Sequence, residues 1–294
     1  MKRLLFIFPL AFCGILNAQT VVGGAINSNT TWNLAGSPYL VQNNVAVMAG
    51  VTLTIDAGVV IKFDSQKSIQ FFGTLRAIGI QNQPITFTSG VATPNPGDWG
   101  YILFNTSSPS YNFSNGTGSI MQYCIVEYGG GATVNYNGIV RLNNSFPYMN
   151  NCTIQYNSQS AIKGWNLSST LFIDSCTIQN NNVDTGSVYA NSGTLSVRAC
   201  NISNNNTSIA TSDGYSSSGI FTSNTDMRIK NCILNANNSR AIVGLKSGNN
   251  SQTDSIFSSC IKNNLKDGIY YFSYTNSLSS KTIVIINDTI KDNS

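Results

Sequence analysis

Cys152-Thr-Ile-Gln-Tyr-Asn157, Cys176-Thr-Ile-Gln-Asn-Asn181, Cys200-Asn-Ile-Ser-Asn-Asn205 and Cys232-Ile-Leu-Asn-Ala-Asn237 are four copies of one phrase. Cys124 stands 28 residues before the first copy and Cys260 stands 28 after the last. Asp288-Thr-Ile-Lys-Asp-Asn293 repeats the phrase once more with Asp in the cysteine's place. A period of 20–50 residues is the mark of a solenoid, whose units bury their apolar faces only against one another.

The cysteine register aligns the repeats. Three positions before each cysteine lie Met121, Met149, Ile173, Val197, Ile229 and Phe257. Two positions after it lie Val126, Ile154, Ile178, Ile202 and Leu234, a column that Lys262 interrupts. Both columns are expected to face inward. The residue before the cysteine is often Asn or Ser, which suits a sharp bend in left-handed backbone. A further run follows each phrase, as in Ala161-Ile162, Gly219-Ile220 and Gly268-Ile269. Three short strands per coil with tight bends predict an all-β chain, a parallel β-helix. Unequal repeat lengths are then loop insertions on one side. The regular coils start near residue 119, and period-two runs such as Ile69-Gln70-Phe71 and Ile85-Thr86-Phe87 extend the helix back to residue 45. Residues 19–44, with Trp32 and Pro38, are expected to be an irregular N-terminal cap.

Only 10% of the 294 residues are charged, the formal net charge is +4, and there is no histidine. The missing histidine excludes the Ser-His-Asp triad and most catalytic zinc sites. Without a basic run, nucleic acid is not an expected partner. Residues 1–18 have the form of a secretory signal, with Lys2-Arg3, an apolar run from Leu4 to Leu16, and Ala18. Phe12 stands where a lipidation signal at Cys13 would want a small residue. Export is therefore expected, with no transmembrane segment and a monomeric product. The repeat runs to the last residue, so a longer natural protein, with this chain as its stalk, is one expectation. Cysteine is a small apolar filler, so Cys124, Cys152, Cys176, Cys200, Cys232 and Cys260 are expected as interior rungs, with pairing between neighbours left open. Asn157, Asn181, Asn205 and Asn237 should form a second ladder of amides at a turn.

The run Gly50-Val-Thr-Leu-Thr-Ile-Asp-Ala-Gly-Val-Val-Ile-Lys-Phe63, with Gly73-Thr-Leu-Arg-Ala-Ile-Gly79, Gly97-Asp-Trp-Gly100 and Tyr123-Cys-Ile-Val-Glu-Tyr-Gly-Gly130, resembles the secreted β-helix repeat proteins of Bacteroidetes type within the pectin-lyase-like superfamily. The resemblance implies a right-handed parallel β-helix and export. It also implies that polysaccharide lyase chemistry be weighed, in which Arg or Lys is the base and Ca²⁺ neutralises the substrate acid. Asp174, Arg198 and Lys230 share one repeat position, with Arg228 beside them, and are the candidates for such a site on an acidic polysaccharide. The alternative is a surface charge ladder, each pair contributing ~0–1 kcal/mol. Outside the lyase reading no cofactor or metal is called for.

A second column follows the third strand's inward aliphatic: Val140, Lys163, Tyr189, Phe221, Val243 and Tyr270. Alternation points it outward, where aromatic rings would serve as platforms for sugar. Tyr128 and Tyr156 form a smaller patch. The favoured reading is a non-catalytic secreted or surface β-helix that binds glycan or mediates adhesion.

Overall fold

The computed structural model describes residues 19–207, 217–246, 252–273 and 281–293. They form a right-handed parallel β-helix with three strand ladders along one axis. The first ladder carries the cysteine phrases, the second carries the runs after them, and the third carries the runs before the next phrase. Every pairing within a ladder is parallel, as in Ile154↔Ile178↔Ile202↔Leu234 on the first and Ile173↔Val197↔Ile229↔Ile256 on the third. Residues 1–18, including Cys13, lie outside the described residues. Among the described residues no helix is long and apolar enough to cross a membrane.

The bends explain why this sequence coils. One residue at each corner adopts left-handed backbone. Before the first ladder these are Tyr123, Asn151, Ser175, Ala199, Asn231, Ser258 and Asn287, with φ between 47° and 56°. After it come Tyr128, Tyr156, Asn180, Asn204, Ala236, Asn263 and Asp292. After the second ladder come Asn144, Asn166, Ser192 and Asn224. Asn tolerates this conformation because its short amide bonds the local backbone, and it fills about half of these positions.

The stretch 19–44, expected as irregular, is already the first coil. Thr20–Ile26 pairs with Tyr39–Val47, and Thr30–Trp32 starts the third ladder against Thr52–Ile55. Its alternation is diluted by Gly23, Gly24 and several exposed Asn, which hid the strands in the sequence.

The last cysteine is out of register. Cys260 pairs with Ile233 rather than Cys232. Ser259 takes the cysteine's place, is buried, and its Oγ accepts the Cys232 N–H at 3.1 Å. Consequently Ile261, not Lys262, continues the inward column of the first ladder, and Ile256, not Phe257, continues that of the third. Both Ile residues are fully buried. The core's need for apolar side chains sets the register here, and a one-residue slip would bury Lys262. Asp288 does occupy the cysteine position of the final phrase, one residue before the Thr289↔Cys260 pair.

The five in-register cysteines, Cys124 to Cys232, are buried free thiols, and Cys260 is half-buried and also free. Burial, with the contact to Cys152, pushes the Cys124 thiol well above its ordinary range. The asparagines stand inside the helix at the second corner, fully buried. Each Nδ2 donates to the next Oδ1: Asn157 to Asn181 at 2.9 Å, Asn181 to Asn205 at 3.0 Å, Asn205 to Asn237 at 3.1 Å. The ladder continues through Asn264 and Asn293, at 2.9 and 2.8 Å. Asn264 escaped the sequence alignment because the slipped register put Leu265 in its place. Backbone N–H groups of Asn157, Asn181, Asn205, Asn237 and Asn264 also donate to the next Oδ1, so each amide is saturated.

Candidate functional site

The third ladder presents an outer face on which the lyase candidates do meet. Asp174, Arg198 and Lys230 are stacked in successive coils. Arg228 stands two residues before Lys230 on the same strand, beside Ser196 and Ser255. Asp174 is buried at 5% exposure and is fully engaged. Arg198 holds it through two bonds, Nε to Oδ1 at 2.8 Å and Nη2 to Oδ2. The Tyr148 hydroxyl donates to Oδ2 at 2.9 Å, and Asn150 Nδ2 donates to that hydroxyl at 3.0 Å. Burial, then the bond to Asp174, pushes the Tyr148 phenol up to about 12. The hydrogen bonds from Arg198 to Asp174 push the guanidinium above its already high range. An arginine so held keeps its proton, which suits charge pairing and not proton abstraction.

Three hollows run side by side along this face. One of 250 Å³ is lined by Tyr111, Phe113, Tyr148 and Phe172. Phe113 lies 4.9 Å from both Tyr148 and Phe172, edge to face, and is half exposed. The insertion that carries Tyr111 and Phe113 is tied down by Arg76, whose Nη1 donates to Gly116 O at 2.6 Å. The second hollow, of 370 Å³, lies over Asp174, Arg198 and Lys230. The third, of 460 Å³, is lined by Arg228, Lys230, Ser255 and Phe257. Among the described residues neither Arg228 nor Lys230 makes an ion pair. The sequence pattern found the charges but missed Tyr148, Phe172 and Phe113. The first two lie two positions before the Asn150–Asp174 rung, and Phe113 sits on an insertion with no repeat partner.

The second-ladder column is different from the expected platform. Lys163, Tyr189, Phe221, Val243 and Tyr270 do stack in order. Val140 does not belong to the column, because it pairs with Ile162 and faces inward, and Arg141 takes the outer position. Arg141, Lys163, Phe221 and Val243 are buried, and Tyr189 and Tyr270 are half-buried. Residues of the loops between the first and second ladders cover two of them: Asn135 and Tyr136 lie on Arg141, and Asp184 and Thr185 on Lys163. Lys163 Nζ reaches Asp184 Oδ2 at 2.6 Å and Thr185 Oγ1 at 3.1 Å. Burial pushes the Asp184 carboxyl up, but Lys163 and its hydrogen bonds outweigh that and hold it below the ordinary carboxylate range. Arg141 donates to the Asn135 and Tyr136 carbonyls and lies over the Tyr101 ring at 4.4 Å. Tyr189 stacks on Phe221 at 5.5 Å, and the Arg240 guanidinium lies 4.5 Å over Tyr270. These cations and rings satisfy one another beneath the loops. Tyr128 and Tyr156, both at left-handed corners, stack at 5.8 Å on the outside.

Residues 24–143 match the family model described as pectate-lyase like beta helix domain. Protein bark beetle of Drosophila melanogaster is 36% identical over 73 residues, which cover 25% of this chain and 2% of that protein. The chain therefore corresponds to a very small part of the relative it matches. No solved structure gives a significant match. Parallel ladders run unbroken from the matched region into the cysteine coils, so the described residues form a parallel β-helix whose N-terminal part is similar to the pectate-lyase like beta helix domain.

Proposed function

We propose that this is an exported, non-catalytic β-helix protein that binds acidic glycan along the outer face of its third ladder. The observation that carries the reading is the asymmetry of charge there. Asp174 is consumed by Arg198 and Tyr148, while Arg228 and Lys230 face a hollow without a carboxylate partner among the described residues. Two cations beside Phe257 at one end, and an edge-to-face cluster of rings at the other, offer charge for acid groups and flat faces for sugar rings. The fixed proton on Arg198 weighs against the lyase alternative. The signal-like start of the sequence supports export.

The test is binding of polygalacturonate, against a neutral polymer of similar length, to the full chain by calorimetry. Arg228→Ala with Lys230→Ala should weaken acidic binding about tenfold, or ~1.4 kcal/mol, and raised salt should do the same. Equal affinity for both polymers removes the reading. Unsaturated product on long incubation, lost with Lys230→Ala, would replace it with the lyase.

A further inference from the structure

The cysteine column takes no part in the glycan face, and its geometry has a chemistry of its own. Five thiols, Cys124, Cys152, Cys176, Cys200 and Cys232, stand on five consecutive coils. The ladder register is unbroken through the residue after each cysteine, so each cysteine stacks on the next. Neighbouring coils lie ~4.7–4.9 Å apart. A metal–thiolate bond of about 2.3 Å, taken twice in a straight line, spans roughly that distance. The stack therefore suits a cation that prefers two sulfurs in line, and among divalent and monovalent ions that is the soft d¹⁰ type. Among the described residues no three Cys, Asp or Glu side chains gather as a metal cage. A linear two-sulfur ion does not need one.

We propose that the thiol column is a binding site for Cu(I), with one ion between Cys124 and Cys152 and a second between Cys200 and Cys232. Each ion takes two thiols as thiolates and releases two protons: Cu⁺ + 2 RSH gives [RS–Cu–SR]⁻ + 2 H⁺. No electron is transferred. Cys176 is the odd thiol in the middle. Its S–H donates to the Asp174 carbonyl at 3.3 Å, and its backbone N–H points to Cys200 Sγ at 3.4 Å. The N–H contact favours an anionic second complex. A 390 Å³ hollow at the first corner is lined by Cys124, Cys152, Tyr123, Asn151 and Thr153, and gives an approach to the first pair. Cys260 is excluded, because it sits one residue out of the column.

The experiment is an anaerobic titration of the full chain with Cu(I) buffered by bicinchoninate. Two equivalents should be withdrawn from the chelator. Cys260→Ser should leave both in place. Cys124→Ser and Cys200→Ser should each remove one, and the double variant both. Circular dichroism shows whether a variant still folds. The wild-type chain decides the matter without any variant, since binding to the native form must raise its melting temperature with the logarithm of free copper above the dissociation constant. No uptake, uptake with a falling melting temperature, or uptake abolished by Cys260→Ser overturns the proposal.

Discussion

In the coils before residue 119 the aliphatic interior carries buried aromatic rings, and in the coils after it columns of thiols and amides. Phe71 stacks on Phe104 at 5.1 Å and Phe63 on Trp99 at 4.0 Å, all fully buried. No buried asparagine column exists there, and Gly50 and Gly58 supply left-handed corners. In the later coils small side chains fill the cross-section, and a continuous row of hydrogen bonds runs up one corner. The first solution depends on volume and is local to the rings concerned. The second depends on saturation, and each amide's bonds belong to three coils at once. Since a solenoid's stability is a sum of units and their interfaces, the two halves should respond to damage in different ways.

The largest expected effects test the kind of core each end has. Phe71→Ala should cost about 3–5 kcal/mol through the cavity it opens, with faster amide exchange confined to its own and adjacent coils. Asp254→Ala should cost a similar ~3–5 kcal/mol for the opposite reason. Asp254 sits inside the helix beside Met227, pairs with buried Lys246 at 2.9 Å, and accepts the Met227 N–H at 2.6 Å. Removing it strands the ammonium. Denaturant unfolding with hydrogen exchange read by mass spectrometry measures both.

Asn205→Ala should cost on the order of 2–4 kcal/mol, because it strands the buried Asn181 backbone N–H and leaves the Asn181 Nδ2 with only one of its two bonds, to Ile154 O. Its exchange defect should spread along the corner in both directions. A loss under ~1 kcal/mol, with exchange unchanged beyond one coil, would break the contrast between the two halves. Cys176→Ala should cost only about 1 kcal/mol, since a single small apolar group is lost.

The smallest effect is expected on the outer face. The Tyr148 phenol titrates near 12 in the folded chain against an ordinary value near 10. A raised folded value means the neutral phenol is favoured by folding. Its contribution is complete below pH ~10 and lost as pH climbs towards ~12. Tyr148→Phe should flatten that part of the melting-temperature profile, and an unchanged alkaline slope would show that the Asp174 contact is weak.

The fold was legible because it is written by repetition. Apolar residues at fixed offsets from a cysteine can only be rungs, and Asn or Ser before them can only be corners. Register failed where a single residue decided it. Cys260 is the same residue type as its predecessors, yet Ser259 fills the column and Ile261 follows it inward. Only the cost of burying Lys262, which pattern matching does not weigh, places it correctly. Val140 was misplaced by one residue too, because the inward Ile162 pairs with Val140 and not with Ile139. The candidate site was half legible: the charges of one column were found, but burial of the other column depended on loops that share no repeat. Lys246 and Asp254 carry no signal in the repeat, because alternation does not reveal an ion pair turned inward.

The amide ladder also has a direction. From Asn157 to Asn264 each Nδ2 gives one N–H to the Oδ1 of the following coil and the other to a carbonyl of the preceding coil, while each Oδ1 from Asn181 to Asn293 accepts from the preceding coil. The side-chain dipoles therefore add instead of cancelling. The leading end offers an N–H and the trailing end a carbonyl oxygen, which at the Asn157 end is met by the Gly129 N–H at 2.8 Å. The two ends are chemically distinct, like those of a polar filament. A coil arriving at one end must bring an acceptor and at the other a donor, so stacking can extend the column in only one orientation.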